Sequence, residues 1–304
     1  MKYPIGIQTF EQIIRQGFVY VDKTDMVYSL ATEGKVYFLS RPRRFGKSLL
    51  LSTLRAYFEG KKDLFAGLKI DALEHDWHVH RVFHFDFNGV DFTLPGALHL
   101  KIDGYLHDWE KEFGISPGVD TNLGSRFNRI LQAAAEQTGR GAVVLVDEYD
   151  KPLLDVLDMN PKVLTENREM LKAFYSVFKL ADEYLRFVFL TGVTKFSQVS
   201  VFSGFNQPKD ISMMSKYDAL CGITEAEMHR YFKEPIREMT EMEGCCEEEM
   251  AERLKQRYDG YHFSTRLTDI YNPFSVLNAL DSQRIGNYWF ATGTPTYLIR
   301  LLNH

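Results

Sequence analysis

Three observations predict an α/β fold in three layers, a mostly parallel sheet covered by helices on both faces. Short apolar runs suited to doubly buried strands alternate with long helical patterns. Two of these runs end in turns loaded with functional groups. Residues 36–39 lead into Ser40-Arg41-Pro42-Arg43-Arg44-Phe45-Gly46-Lys47-Ser48, and residues 142–146 lead into Asp147-Glu148. After about residue 214 the texture changes to helices, which predicts a core over 1–215 and a small helical subdomain over 216–304.

The 304 residues imply about two domains and allow a sizeable core. A net charge of −5 removes any general bias toward nucleic acid, so a basic patch must be local. No run approaches the roughly 20 apolar residues of a membrane span. The start, Met1-Lys2-Tyr3-Pro4-Ile5-Gly6, lacks the apolar core of a signal peptide. Cys221, Cys245 and Cys246 form an odd, sparse set, which predicts a reduced, cytoplasmic protein. Their spacing does not support a metal site.

In chain order, residues 9–16 form a short helix with Phe10, Ile13 and Ile14 on one face, stopped by Gly17. Residues 18–21 are a short strand. Asp25 caps a helix ending at Glu33, before Gly34. The first core strand follows at 36–39, then the basic loop, then a helix over 49–58. Residues 63–80 are irregular, and 82–87 alternate as a strand. Helices are expected over 95–113 and 123–137, separated by a Gly-, Pro- and Asp-rich linker. The continuous apolar run at 142–146 is a buried strand. Residues 162–183 are mostly helical, and 187–190 form another buried strand ending in Thr191-Gly192-Val193-Thr194-Lys195. Thr224-Glu225-Ala226-Glu227 opens a helix with a capping box. Helices then run over 224–242, 246–258, 273–280 and 295–302. The sequence ends within an apolar helix-like stretch, as a piece of something longer would.

Strand, tight loop ending Gly-Lys-Ser, helix is the context of a phosphate-binding loop. Loop amides turn inward and the helix N-terminus adds partial positive charge, so Arg41, Pro42, Arg43, Arg44, Phe45, Gly46, Lys47, Ser48 and Leu49 are the candidate nucleotide-binding stretch. Lys47 would reach the β- and γ-phosphates, and the Ser48 hydroxyl would hold Mg²⁺. The usual pattern opens with Gly, where this chain has Arg41. Pro42 restricts it to extended conformations, trading glycine freedom for rigidity and charge. Each of Arg41, Arg43 and Arg44 is a candidate for phosphate binding, with a solvated loop face as the alternative.

Asp147 at a buried strand's end suits Mg²⁺ held opposite the loop hydroxyl, and Glu148 could orient and deprotonate an attacking water. Thr191 and Thr194 follow the next strand, where ligands gather in parallel sheets; either senses a γ-phosphate or satisfies its own turn. His75, His78, His80 and His84 lack metal spacing, and Tyr261, Phe263, Tyr271 and Phe274 read as subdomain core. Glu33-Gly34-Lys35 and Glu59-Gly60-Lys61 have a nuclease-like Glu-x-Lys form but sit at helix ends, which argues against a nuclease centre.

Together, Tyr20-Val21-Asp22-Lys23-Thr24, the Arg-Pro-Arg-Arg-Phe-Gly-Lys-Ser loop and Thr191-Gly192-Val193-Thr194-Lys195-Phe196 resemble the bacterial AAA-ATPase-like family. So do Phe202-Ser203-Gly204-Phe205-Asn206, Asp210-Ile211, Cys221-Gly222-Ile223-Thr224, Tyr258-Asp259-Gly260-Tyr261 and Tyr271-Asn272-Pro273-Phe274. The resemblance spans nearly the whole chain and makes Arg41 a family trait. It implies a three-layer, AAA-like P-loop NTPase of the additional-strand type, with a C-terminal helical lid subdomain. It assigns phosphate binding to Lys47 and Ser48, and Mg²⁺ and water activation to Asp147 and Glu148. Family members often continue into a C-terminal PD-(D/E)XK nuclease-like domain, which would begin where this sequence stops.

The function expected is Mg²⁺-dependent ATP binding and hydrolysis, driving or gating a protein partner or a nucleic-acid process. The alternatives are a nucleotide-gated binding module with negligible hydrolysis, and the ATPase part of a nuclease-associated protein.

Overall fold

Strand order explains how the two loaded turns come together. The computed structural model describes residues 1–116, 121–195, 201–202 and 208–289. Its strands are β1 (Val36–Ser40), β2 (Val82–Asp86), β3 (Ala142–Asp147), β4 (Leu185–Gly192) and β5 (Lys209–Asp210). They form one sheet in the order β2-β3-β4-β1-β5, and every pairing is parallel. β4 is thus the additional strand between the one that feeds the basic loop and the one that ends in Asp147. Register places Thr191 beside Leu39, and Asp86 beside Asp147. Both loaded turns therefore leave the same edge of the sheet, and Thr191 lies between them.

All six residues of β3 are buried, as its unbroken apolar sequence requires. Their side chains alternate between two cores. Val144 and Val146 pack with Phe85, Phe127 and Phe174 beneath α4 (Ala97–Glu112), α5 (Leu123–Thr138) and α7 (Pro161–Tyr175). Val143 and Leu145 pack with Leu54, Phe58 and Phe187 beneath α1 (Phe10–Arg15), α2 (Thr24–Glu33) and α3 (Lys47–Phe58). Two helical layers around a parallel sheet are the predicted α/β architecture. Short helices α6 (Lys151–Leu154) and α8 (Val177–Leu180) complete this region. Among the described residues no helix is long and apolar enough to cross a membrane.

A third apolar cluster, including Met228, Phe232, Met239, Met250, Leu254 and Val276, joins α9 (Glu225–Glu243), α10 (Glu247–Tyr258) and α11 (Pro273–Ser282). An antiparallel pair, β6 (Ile223–Thr224) with β7 (Ile270–Tyr271), ties its ends. Tyr3, Val19 and Val21 pack against the same cluster, so the start of the chain touches it too. Lys23 reinforces that contact: its buried ammonium lies 2.6 and 2.5 Å from the two carboxylate oxygens of Glu227. α9 bends where Phe232 leaves helical geometry, three residues before Pro235. Proline removes a backbone donor and crowds the preceding turn, which explains the kink.

Some expectations need correction. Residues 18–21 are not a strand: Val19 N–H donates to Lys2 O at 2.9 Å, but no ladder forms. Asp25 does not cap α2. Asp22, ahead of the helix, accepts from Thr24 N–H at 2.9 Å and from its hydroxyl at 2.6 Å. Strands β5, β6 and β7 have two residues each, too short for any period to register. The helix expected over 295–302 lies outside the described residues.

The capping box at α9 forms as read. Thr224 N–H donates to Glu227 Oε2 at 2.9 Å, and Glu227 N–H donates to Thr224 Oγ1 at 3.3 Å. Replacing Thr224 with Ala is expected to cost about 1 kcal/mol, read as a lower urea midpoint at unchanged slope. An unchanged midpoint would mean that the box contributes nothing in solution.

Candidate functional site

The basic loop owes its shape to two residues with positive φ, Arg44 (70°) and Gly46 (92°), the second being the N-cap of α3. Arg41 does not share this strain: its φ is not positive, and its N–H donates to Gly192 O at 3.2 Å, prolonging the ladder with β4. The turn brings Lys47 back over the loop. Its ammonium donates to Arg41 O at 3.0 Å and Pro42 O at 3.3 Å, and lies 3.5 Å from Glu148 Oε1. Lys47 is 4% exposed, so its charge works in a partly desolvated cup.

Asp147 sits at the centre of the second turn. Ser48 Oγ donates to Asp147 Oδ2 at 2.6 Å, and Thr191 Oγ1 donates to Asp147 Oδ1 at 2.6 Å. One carboxylate is thereby held from two strand ends and a helix start. Glu148 takes a left-handed backbone (φ 56°), and its N–H lies 3.4 Å from Thr191 Oγ1. That unusual φ turns the chain so that Asp147 and Glu148 both reach the loop. Hydroxyl and carboxylate oxygens this close are a hard-donor pair of the kind Mg²⁺ takes.

A cleft of about 530 Å³ includes Arg43, Arg44, Lys47, Ser48 and Glu148, and a second hollow of about 380 Å³ meets it at Ser48 and includes Asp147. Residues 4–8 form one wall of the cleft; Pro273, Phe274 and Leu277 of α11 form another. An apolar hollow of about 110 Å³ adjoins it, walled by Val19, Val21, Phe45, Leu49 and Ile223.

The family model described as "Predicted AAA-ATPase" matches residues 4–202, most of the chain and all of this loop and acidic pair. The chain belongs to the AAA-ATPase-like family. It is also 42% identical over 304 residues to an Azotobacter chroococcum mcd 1 protein named "Uncharacterized protein in vnfD 5'region". That match covers 99% of this chain and 56% of the relative, so the chain spans little more than half of the relative's length. No solved structure matches.

In this AAA-ATPase-like chain, sequence reasoning brought Lys47, Ser48, Asp147, Glu148 and Thr191 together, and they are together. Two loop residues, Arg41 and Pro42, and one threonine, Thr194, do not face the cleft. Arg41 points its guanidinium away from the cleft into the interior, at 1% exposure. Phe45 walls the adjoining apolar hollow, and its ring centre also lies 4.7 Å from that of Tyr261 and 5.5 Å from that of Phe263. Pro42 offers only its carbonyl, to Lys47. Thr194 faces Asp150: its N–H and Oγ1 both donate to Asp150 Oδ2 at 2.8 Å. A threonine bound in this way is shaping a turn.

Residues 4–8, Asp86, Asn88 and α11 line the cleft without having been singled out. Asp86 left one signal, as an acidic residue closing a strand of a parallel sheet. Burial pushes the imidazole of His84, two residues earlier, below its usual titration range, and its Nε2 has no partner among the described residues.

Asp150 was also missed. It is fully buried, accepts from the N–H groups of Val193 and Thr194, and packs where any side chain at Gly192 would collide with Tyr149. Burial first, and the Glu148 charge second, push its carboxyl up to about 6 against the pull of the Thr194 donors. The sign follows. Between about pH 4 and pH 6 the folded chain keeps a proton that the unfolded chain releases, so this group's contribution to stability is lost as pH rises through that window. The stability of the wild type relative to Asp150→Asn is expected to fall by up to about 3 kcal/mol between pH 4 and 7, measured by urea unfolding. A difference independent of pH would show that Asp150 titrates normally.

Proposed function

We propose that this chain is an Mg²⁺-dependent ATPase, with a catalytic core over 1–215 and a helical lid over 216–304. The reading is carried by one observation: Ser48 Oγ and Asp147 Oδ2 lie 2.6 Å apart, beside the Lys47 cup, though 99 residues separate them in sequence. Membership of a family described as "Predicted AAA-ATPase" supports it.

In this reading the loop amides and the N-terminal dipole of α3 receive the phosphates. Phosphate oxygens take Lys47 from the carbonyls of Arg41 and Pro42. The hollow beside Leu49 buries the base. Ser48 and Asp147 hold Mg²⁺, with Thr191 fixing the orientation of the carboxylate. When bound, the ion supplies positive charge opposite the charge developing on the transferring phosphoryl group. Glu148 orients the attacking water and accepts its proton, help of a kind contributing about 10²–10⁴-fold in rate. Arg43 and Arg44 supply further positive charge along the cleft.

Glu148 lies 3.5 Å from Lys47, which favours a gated hydrolase. The base is ion-paired until a γ-phosphate draws the lysine away, so turnover would be slow without full occupancy of the cup. A nucleotide-gated module with negligible hydrolysis is the limiting case of this arrangement. The process driven or gated is a transaction with a protein or nucleic acid, engaged through the lid.

Two variants separate binding from turnover. Lys47→Ala removes charged hydrogen bonds worth about 1.5–3 kcal/mol each and is expected to abolish ATP binding in calorimetric titration. Glu148→Gln is expected to bind Mg·ATP and lose phosphate release; normal turnover in that variant removes Glu148 from the mechanism. Chelating Mg²⁺ with EDTA is expected to abolish hydrolysis and weaken ATP binding at least about tenfold. Tight ATP binding with release of intact ATP by the wild type would establish the gated module instead.

A further inference from the structure

Arg41 stands where a phosphate loop ordinarily opens with glycine, yet nothing in the backbone there demands one, since the strained positions are Arg44 and Gly46. The side chain therefore needs its own explanation. Its guanidinium carbon lies 4.0 Å from the centre of the Phe263 ring. Nη1 donates to Ser40 O at 3.0 Å and to Ser212 O at 2.7 Å, and Nη2 donates to Tyr217 O at 3.2 Å. Nε has no partner among the described residues. Burial disfavours the charged form and holds the group below the usual guanidinium range, against the nearby charges of Asp218 and Asp210.

Burying a cation whose bonded partners are neutral carbonyls and a ring is costly, and such a group persists where its geometry is used. Here one side chain joins three segments: the end of β1, the stretch 212–217 and the turn carrying Phe263. The same residue's carbonyl accepts from Lys47 Nζ at 3.0 Å. Phe45, four residues on, packs edge-on against both Tyr261 and Phe263, and the Arg44 guanidinium lies 4.8 Å from the Phe274 ring at the start of α11. The loop residues thus divide, with Arg43, Arg44, Lys47 and Ser48 lining the cleft and Arg41 and Phe45 packed against aromatic residues from beyond position 260.

We propose that Arg41 is a positioning residue through which the Tyr261–Phe263 turn sets the shape of the phosphate loop. Docking of that turn holds the Arg41 carbonyl, and with it Lys47, in the arrangement that receives a triphosphate. Because such coupling is reciprocal, occupancy of the cup also tightens the turn. Lysine cannot replace arginine here, because a point ammonium lacks the planar fork that spans Ser212 O and Tyr217 O under a ring. The part of this proposal that concerns nucleotide rests on the ATP reading above; the part that concerns loop shape does not.

The test uses the full chain carrying Arg41→Lys, Phe263→Leu, or both. Amide exchange at residues 43–47 is measured without nucleotide, and Mg·ATP affinity and steady-state constants are measured beside it. Each single variant is expected to speed loop exchange at least about tenfold. Each is also expected to raise the ATP KM about tenfold while kcat changes less than about threefold. The double variant is expected to add little to either single one, because both break the same link. Arg41→Lys that lowers the melting temperature with loop exchange and KM unchanged overturns the proposal, as do additive effects in the double variant. If Arg41→Lys fails to fold, Phe263→Leu carries the same expectations and the same contrary result. If the wild type binds no ATP, the ATP reading fails, and loop exchange alone then decides the positioning role.

Discussion

One carboxylate with two hydroxyl partners organises the functional end of this molecule. Asp147 closes the most deeply buried strand, and its two oxygens are taken by Ser48 from the loop helix and Thr191 from the neighbouring strand. For those groups to meet, β4 must lie between β1 and β3, all three strands must run the same way, and each must end at the same height. Parallel strands joined by helical crossovers satisfy all three conditions together. The two aromatic and aliphatic cores on either side of the sheet serve this placement: side chains alternating to both faces leave the strand ends as the place where polar groups converge.

The loop is held in a way its composition does not suggest. Glycine-rich phosphate loops gain tight turns through backbone freedom. Here freedom is confined to Arg44 and Gly46, and stiffness comes from outside, through an interior arginine and a phenylalanine packed edge-on against two rings. A loop gripped by residues from the far end of the chain reports on that end. The ion pair between Lys23 and Glu227 ties the start of the chain to α9 as well. The phosphate loop and the start of the chain thus each touch segments that lie beyond residue 220 in sequence.

Much of this was legible in the sequence because local rules report local burial. β3 announced itself as an unbroken apolar run, and α9 through its capping box. Ser48 and Asp147 could be paired because a hydroxyl after Gly-Lys and an acid after a buried strand have one well-known meeting place in a parallel sheet. What stayed hidden depended on partners distant in sequence. The guanidinium of Arg41 goes to Ser212, 171 residues away, and no periodicity encodes that destination. Asp150 drew no reading at all, and Thr194 looked available because its acidic partner could not be seen. Residues 18–21 have the residue types of a strand but make only isolated backbone bonds, to Ile13 and Lys2, since strand propensity describes a half-buried surface and does not supply a neighbour.

The account stands on Ser48 and Asp147 acting as a unit on one metal ion. The direct measurement is Mg·ATP affinity by calorimetry across the double-mutant cycle of Ser48→Ala and Asp147→Asn, run with and without Mg²⁺. The account predicts that each change weakens binding only when Mg²⁺ is present, and that the second change costs far less once the first is made. Binding that ignores Mg²⁺, or losses that simply add, would contradict it.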